Sequence, residues 1–312
     1  MKTDTVTVAD LGRSVIAVPP LARDAAGRLS LAENRKIVGW LASGGVSSFL
    51  YGGNANLYHM GLAEYPALLE LLIAIAPKDA WAIPSVGADF GKARDQVAIL
   101  KSFPFPTAMA LPMAGPTKPA GVATGLRRLA DTYGRPVVAY IRAENYIAPR
   151  DLAALIADGV VCSVKYAVER KDPSDDRYLG AIVDAAGTGH LVSGIGERPA
   201  VVHWTKFGIH AFTSGSVAIA PHLSTAIHRA LRADDIKLAE RLREKFLPFE
   251  TLRDANSPIV VLHDGVRLAG IADTGPLQPY LANLDGALEK SAGGAARALC
   301  EENASFSRRS AA

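Results

Sequence analysis

Short apolar runs rich in β-branched residues alternate along this chain with longer stretches of helical spacing. No other feature limits the fold as much. The runs cover 15–18, 46–51, 80–84, 107–111, 136–141, 160–165, 190–192 and 211–214. Between them, 31–43, 63–75, 90–102, 119–133, 149–157, 175–186 and 199–207 repeat apolar residues with the period of an amphipathic helix. Ser30 precedes the first of these, Pro149 and Pro199 open two others, and Gly44-Gly45, Gly134, Gly159, Gly187 and Gly208 stand where helices should stop. Strands separated by helices pair in parallel, because a parallel crossover needs a dozen or more residues. A parallel strand covered on both faces reads as a continuous apolar run, as these do. Eight such units predict an α/β fold, a (β/α)8 TIM barrel over 1–221, with an open doubly wound sheet as the alternative. The remainder, 222–312, reads as a C-terminal helical bundle with helices at 222–233, 235–249 and 281–300, ending in a frayed tail from 304 to 312.

Composition narrows the function classes. Of 312 residues 49% are hydrophobic, enough for one large core, and the net charge of +3 is scattered without a basic stripe. Neither nucleic acid nor a membrane surface is an expected partner. The first 18 residues carry Asp4, Asp10 and Arg13 before any apolar run, unlike a signal peptide. The most apolar stretch, 68–76, is broken by Glu70 and is about half the length a membrane span needs. Cys162 and Cys300 form neither a metal-ligand spacing nor a disulfide framework, so a soluble, cytoplasmic protein is expected. The histidines lack zinc spacing, no G-x-S-x-G elbow exists, and Gly194-Ile195-Gly196 lacks the third glycine of a dinucleotide loop. The sequence calls for no metal and no organic cofactor.

In a barrel, chemistry lies at the C-terminal ends of the strands. That rule nominates Tyr51-Gly52-Gly53-Asn54, Tyr140, Lys165 and Ser193-Gly194-Ile195-Gly196. Lys165 closes the run Val160-Val161-Cys162-Ser163-Val164, whose apolar surroundings would desolvate its amine. Desolvation lowers a lysine pKa and exposes a neutral nucleophile for a carbonyl carbon. On pattern alone, a strand-end lysine reaching water and a core tyrosine with a satisfied hydroxyl at 140 are the favoured explanations of these residues.

Several motifs then fall in a familiar order. Asp24-Ala25-Ala26-Gly27-Arg28-Leu29 follows the first strand, Gly52-Gly53-Asn54-Ala55-Asn56 the second, Pro136-Val137-Val138-Ala139-Tyr140 forms the fifth and Val161-Cys162-Ser163-Val164-Lys165 the sixth. From about residue 15 to 281 the chain resembles the dihydrodipicolinate synthase and N-acetylneuraminate lyase family of class I aldolase-like enzymes. Within it, Tyr140-Ile141-Arg142-Ala143-Glu144-Asn145 is similar to the 5-dehydro-4-deoxyglucarate dehydratase branch. So are Phe246-Leu247-Pro248-Phe249, Leu252-Arg253, Gly265-Val266-Arg267 and Gly275-Pro276-Leu277, which read as fold and assembly rather than chemistry.

The resemblance implies Lys165 as the Schiff-base lysine and Tyr140 as its proton shuttle. It implies Gly52, Gly53, Asn54, Ser193 and Gly194 as substrate contacts, a small 2-keto acid as substrate, and a homotetramer. The departures matter as much. Gly53-Asn54 replaces two threonines that hold the substrate carboxylate in relatives, Pro112-Met113-Ala114 lacks the relay tyrosine, and Asn145 replaces an arginine. They argue against dihydrodipicolinate synthesis and nominate Arg142 for carboxylate recognition. The expected activity is a Schiff-base lyase, dehydratase or aldolase, on a keto sugar acid. A pyruvate aldol condensation and a non-catalytic keto-acid binder are the alternatives.

Overall fold

The computed structural model describes residues 1–311. A short helix α1 (Val8–Leu11) precedes β1 (Ile16–Ala17), and seven further units follow: α2 (Leu31–Ser43), β2 (Ser48–Leu50), α3 (Tyr65–Ile75), β3, α4 (Phe90–Leu100), β4 (Ala108–Ala110), α5 (Pro119–Tyr133), β5 (Val137–Ile141), α6 (Pro149–Ala157), β6 (Val161–Tyr166), α7 (Arg177–Ala186), β7 (Leu191–Ser193), α8 (Glu197–Phe207), β8 (Thr213–Ser214) and α9 (Pro221–Arg232). Strand β3 runs as Trp81–Ile83 and Ser85–Val86 around Pro84. A proline has no N–H for the ladder, but its carbonyl still accepts from Met109 N–H at 2.9 Å, so the sheet passes through the break. Every strand pair is parallel. A bridge from Ser193 to Phe212 joins β7 to the chain entering β8, and β8 pairs with β1, closing the cylinder. The strand residues are buried, with Cys162 of β6 partly so, and the expected (β/α)8 barrel is the fold.

Local chemistry sets the helix ends. Ser30, Asp89 and Asp176 accept from the third N–H of α2, α4 and α7, relieving donors that a helix start leaves free. α5, α6 and α9 begin on proline, whose missing N–H costs nothing there. Gly134 and Gly208 close α5 and α8 in left-handed conformations, at φ of 75° and 68°.

The C-terminal region, α10 (Ile236–Glu244), α11 (Leu247–Ala255), α12 (Pro258–Leu268) and α13 (Gly286–Ala311), departs from expectation in three places. The helix expected over 235–249 is two, because Pro248 sits in the first turn of α11 and cannot continue α10. Helix α12 was not foreseen, although Ser257 caps it and Pro258 opens it. The expected frayed tail is instead the end of α13 as far as Ala311; Ala312 lies outside the described residues. Asn303, fully buried on that helix, accepts from the N–H groups of His222 and Leu223 at 2.8 and 3.2 Å, tying α13 to the start of α9. The expected division at 221/222 falls at the first residue of α9, which packs on α2 and α8 as well as on α10 and α13.

Candidate active site

The register of β5 against β6 aligns Tyr140 with Lys165, so both side chains leave the same face of the sheet. That face looks into a cavity of about 250 Å³ at the C-terminal ends of the strands. Lys165 is only 6% exposed, and its Nζ lies 4.2 Å from the centre of the Tyr140 ring. Burial is the main cause that brings the Lys165 amine down to about 7, with the positive charges of Arg142 and Arg253 adding to it. Near neutral pH much of it is therefore unprotonated. Burial pushes the Tyr140 hydroxyl the other way, above its ordinary value, with Arg142 opposing. The pair is a neutral amine beside a protonated phenol.

Arg142 is exposed at the cavity mouth, against Tyr58, whose hydroxyl burial pushes up to about 12. Its sequence neighbour Glu144 does not hold it. Arg170 binds Glu144 and, at 2.9 Å, Asp176, which also accepts from the Tyr166 hydroxyl at 2.7 Å. Arg142 is thereby left to the cavity.

Eight of the residues nominated from sequence converge here: Gly53, Asn54, Tyr140, Arg142, Lys165, Gly194, Ile195 and Gly196. Asn54 donates from Nδ2 to the Val18 carbonyl at 2.8 Å, which spends part of its donor capacity on holding the loop. Gly194 donates to the Tyr166 carbonyl at 2.6 Å, and a Cβ at this position would stand 2.6 Å from that oxygen, so only glycine fits. Three nominated residues, Tyr51 buried in the core, Gly52 and Ser193, lie outside the cavity lining. Gly52 packs below it, where a Cβ would meet Met109 Cε at 2.6 Å. The Ser193 hydroxyl turns to His203 Nδ1 at 2.8 Å, and burial depresses that imidazole to about 4.

The sequence reading missed four lining residues with ionisable side chains: Tyr58, Glu169, Arg253 and Asp254. Tyr58 and Glu169 each follow a nominated strand end by four residues, Asn54 and Lys165, so the strand-end rule extended slightly would have reached them. Arg253 belongs to α11, beyond the eight units, and no barrel rule points to it.

Among the described residues no group of three or more His, Cys, Asp or Glu side chains is placed to hold a metal ion, and no helix is long and apolar enough to cross a membrane. No family model and no curated protein matches the sequence. Solved structures match along most of the chain. A dihydrodipicolinate synthase from Bacillus clausii superposes with a TM-score of 0.81 at 20% identity, covering 92% of this chain and 97% of that one. A wild-type sialic acid aldolase from Ruminococcus gnavus gives 0.81 at 13%, covering 95% and 99%. PhdJ bound to a substrate intermediate gives 0.80 at 18%, covering 97% and 100%. What they share with this chain is the fold.

Proposed function

We propose that the protein is a Schiff-base-forming lyase acting on a small 2-keto acid. One observation carries this reading: a buried lysine amine near neutrality, lying against the face of a tyrosine ring at the strand ends of a (β/α)8 barrel. The neutral Lys165 amine attacks the keto carbon, and the carbinolamine loses water to give an iminium. Its positive nitrogen then takes up the electrons of a neighbouring C–H or C–C bond, releasing a proton or a carbon fragment. The enamine so formed returns them to expel a β-hydroxyl as water where one is present. Tyr140, protonated at neutral pH, supplies a proton to the departing oxygen and takes one back from the next group that must lose it. None of these steps needs a metal or an organic cofactor. The likeness of fold to a sialic acid aldolase studied as a catalytic lysine mutant agrees with a lysine-based reaction.

The finer reading is a dehydratase or aldolase for a keto sugar acid of the 5-dehydro-4-deoxyglucarate type, working in the cytoplasm as a homotetramer. The branch motif around Arg142 supports the substrate class. Light scattering at micromolar protein tests the assembly, and a monomer there refutes it. For the chemistry, the protein is incubated with pyruvate and borohydride, and its peptides are weighed. The expected result is one stable adduct, on Lys165. An adduct elsewhere, or none with any 2-keto acid of a panel, refutes the mechanism. Product analysis on the same panel separates a lyase from a protein that forms the imine without turning it over.

A further inference from the structure

Arg253 reaches the cavity wall from outside the barrel and is 8% exposed. Its Nε donates to the Pro258 carbonyl at 3.3 Å and its Nη1 to Ser216 Oγ at 3.1 Å, both neutral acceptors. Among the described residues no carboxylate forms an ion pair with it. Asp254 pairs with Arg198 at 3.0 Å. Glu197 accepts from the Ser214 and Ser224 hydroxyls at 2.8 and 2.5 Å. Glu250 accepts the Glu197 N–H at 3.3 Å through Oε1. Burial and the charge of Glu197 push Glu250 well above the carboxylate range, and the nearby carboxylates act on Arg253 only from a distance, without an ion-pair contact. A guanidinium out of water without a carboxylate is costly, and folded proteins rarely keep one.

Gly215 shows what the arrangement leaves room for. Its φ is −85°, a conformation open to any residue, so backbone geometry does not require glycine here. Space does. A Cβ would stand 2.7 Å from Arg253 Nη2 and 2.6 Å from Asn54 Nδ2. Both nitrogens abut the bare α-carbon, side by side on the cavity wall. Asn54 has a second amide hydrogen beyond the one given to Val18.

We propose that Arg253, with the Asn54 amide beside it over Gly215, receives the carboxylate next to the keto carbon. The charged part of the anchor is then delivered by a C-terminal helix, beside an amide of the loop after β2. The charges of both arginines reach Lys165, but Arg253 is buried in the wall whereas Arg142 is exposed. An acid charged at both ends therefore enters with its keto-acid end toward Arg253 and its distal carboxylate toward Arg142. The proposal rests on the Schiff-base reading for the carbonyl but not for the carboxylate.

Two probes separate them. Borohydride trapping is titrated with pyruvate and with hydroxyacetone, which keeps the carbonyl but has no carboxylate. At a pH well above 7, where the Lys165 amine is neutral in either protein, Arg253→Gln should raise the half-saturating pyruvate concentration about 10- to 100-fold and leave hydroxyacetone within twofold, with Arg253→Lys between. Equal effects on both ligands, or no effect on pyruvate, overturn the proposal. Oxalate is then titrated by calorimetry into Lys165→Met protein, where no imine can form. Adding Arg253→Gln to that protein should weaken oxalate at least tenfold. Unchanged binding, or no oxalate binding to Lys165→Met at all, overturns the proposal. If the wild-type protein traps neither ligand, the Schiff-base reading falls and the oxalate arm alone decides Arg253. Should Arg253→Gln not fold, the same measurements are made with Arg253→Lys, where an unchanged pyruvate titration and unchanged oxalate affinity overturn it.

Discussion

Arg23 and Arg253 are buried to nearly the same degree, at 5% and 8% exposure, yet their surroundings are opposite. Arg23, in the loop after β1, meets both oxygens of Glu64, at 2.5 and 3.1 Å, and donates to the Gly27 carbonyl at 2.6 Å. Its backbone N–H binds Thr274, and Gln278 shares Glu64, so the pair joins two barrel loops to the segment after α12. Arg253 has only a carbonyl and a hydroxyl, and it shares its cavity with a buried amine that also lacks a carboxylate partner, Lys165. A buried charge with its partner supplied is a joint. One held without a partner has unspent capacity to bind or react, and the fold sustains it through the rest of its core.

The largest expected effect comes from removing the reactive member of the unpaired set. Lys165→Met should abolish keto-acid trapping and turnover while leaving the fold at least as stable, because a desolvated amine gives way to an apolar side chain of similar length. The sign with pH follows. Lys165 titrates near 7 when folded and near 10.5 when free, so between these values the unfolded chain holds a proton that the folded one lacks. Wild-type stability therefore gains a contribution that rises with pH across that window, and Lys165→Met should lack it. The trapping rate should climb through about pH 7 and level off above it. Denaturant titrations and rapid-quench trapping check the two halves. A destabilised Lys165→Met protein would break the contrast between the joint and the unpaired groups.

The joint should behave in reverse. Glu64→Ala strands Arg23 in a buried site with one carbonyl acceptor, which should cost about 3 kcal/mol of stability. Urea titration reads that loss, and half-saturating pyruvate should stay within twofold of wild type. If Glu64→Ala weakened pyruvate instead, the distinction between the two arginines would fail.

Arg142 sharpens the contrast at the mouth. Arg170 already occupies Glu144, so the cation next to Tyr58 has the cavity to serve. Arg142→Ala should weaken six-carbon keto diacids by about tenfold, the lower end for a charge-assisted bond because the site is open to water, and pyruvate by much less. Competition against pyruvate trapping measures both. Equal losses would remove Arg142 from distal-carboxylate recognition, and with it the main reason for favouring a glucarate-type substrate.

What the sequence revealed, and what it hid, follows the range of the interactions involved. Helices α2, α5 and α6 begin and end where their local signals place them, Ser30 or a leading proline at one end and a glycine at or near the other. Eight parallel strands were legible because burial on both faces makes each one continuously apolar. α12 was hidden because Ile259-Val260-Val261-Leu262 reads like a strand, and packing rather than periodicity makes it helical. The end of α13 was hidden because Asn303 holds it to α9 across 80 residues of sequence. The same holds at the site. Lys165 and Tyr140 follow from their strand ends, whereas Arg253 arrives from a helix that no local pattern connects to the barrel mouth.

The smallest effect is expected at Ser193, and here a single position along a strand decides the outcome. In β7 the residue aligned with Lys165 is Val192, while Ser193 is aligned with Tyr166. Successive strand residues face opposite sides, so if Lys165 looks into the cavity, Tyr166 and Ser193 look outward to the helices. Their contacts agree: Tyr166 binds Asp176 at the start of α7, and Ser193 binds His203 on α8. Ser193→Ala should leave half-saturating pyruvate within twofold of wild type. It should lower stability by about 1 kcal/mol, the ordinary worth of a buried hydrogen bond, because His203 Nδ1 loses its partner. Urea titration beside the trapping assay separates the two outcomes. A pyruvate titration shifted tenfold with stability unchanged would return Ser193 to the substrate, and would mean that the strand-end residues of β7 swing inward when the cavity fills.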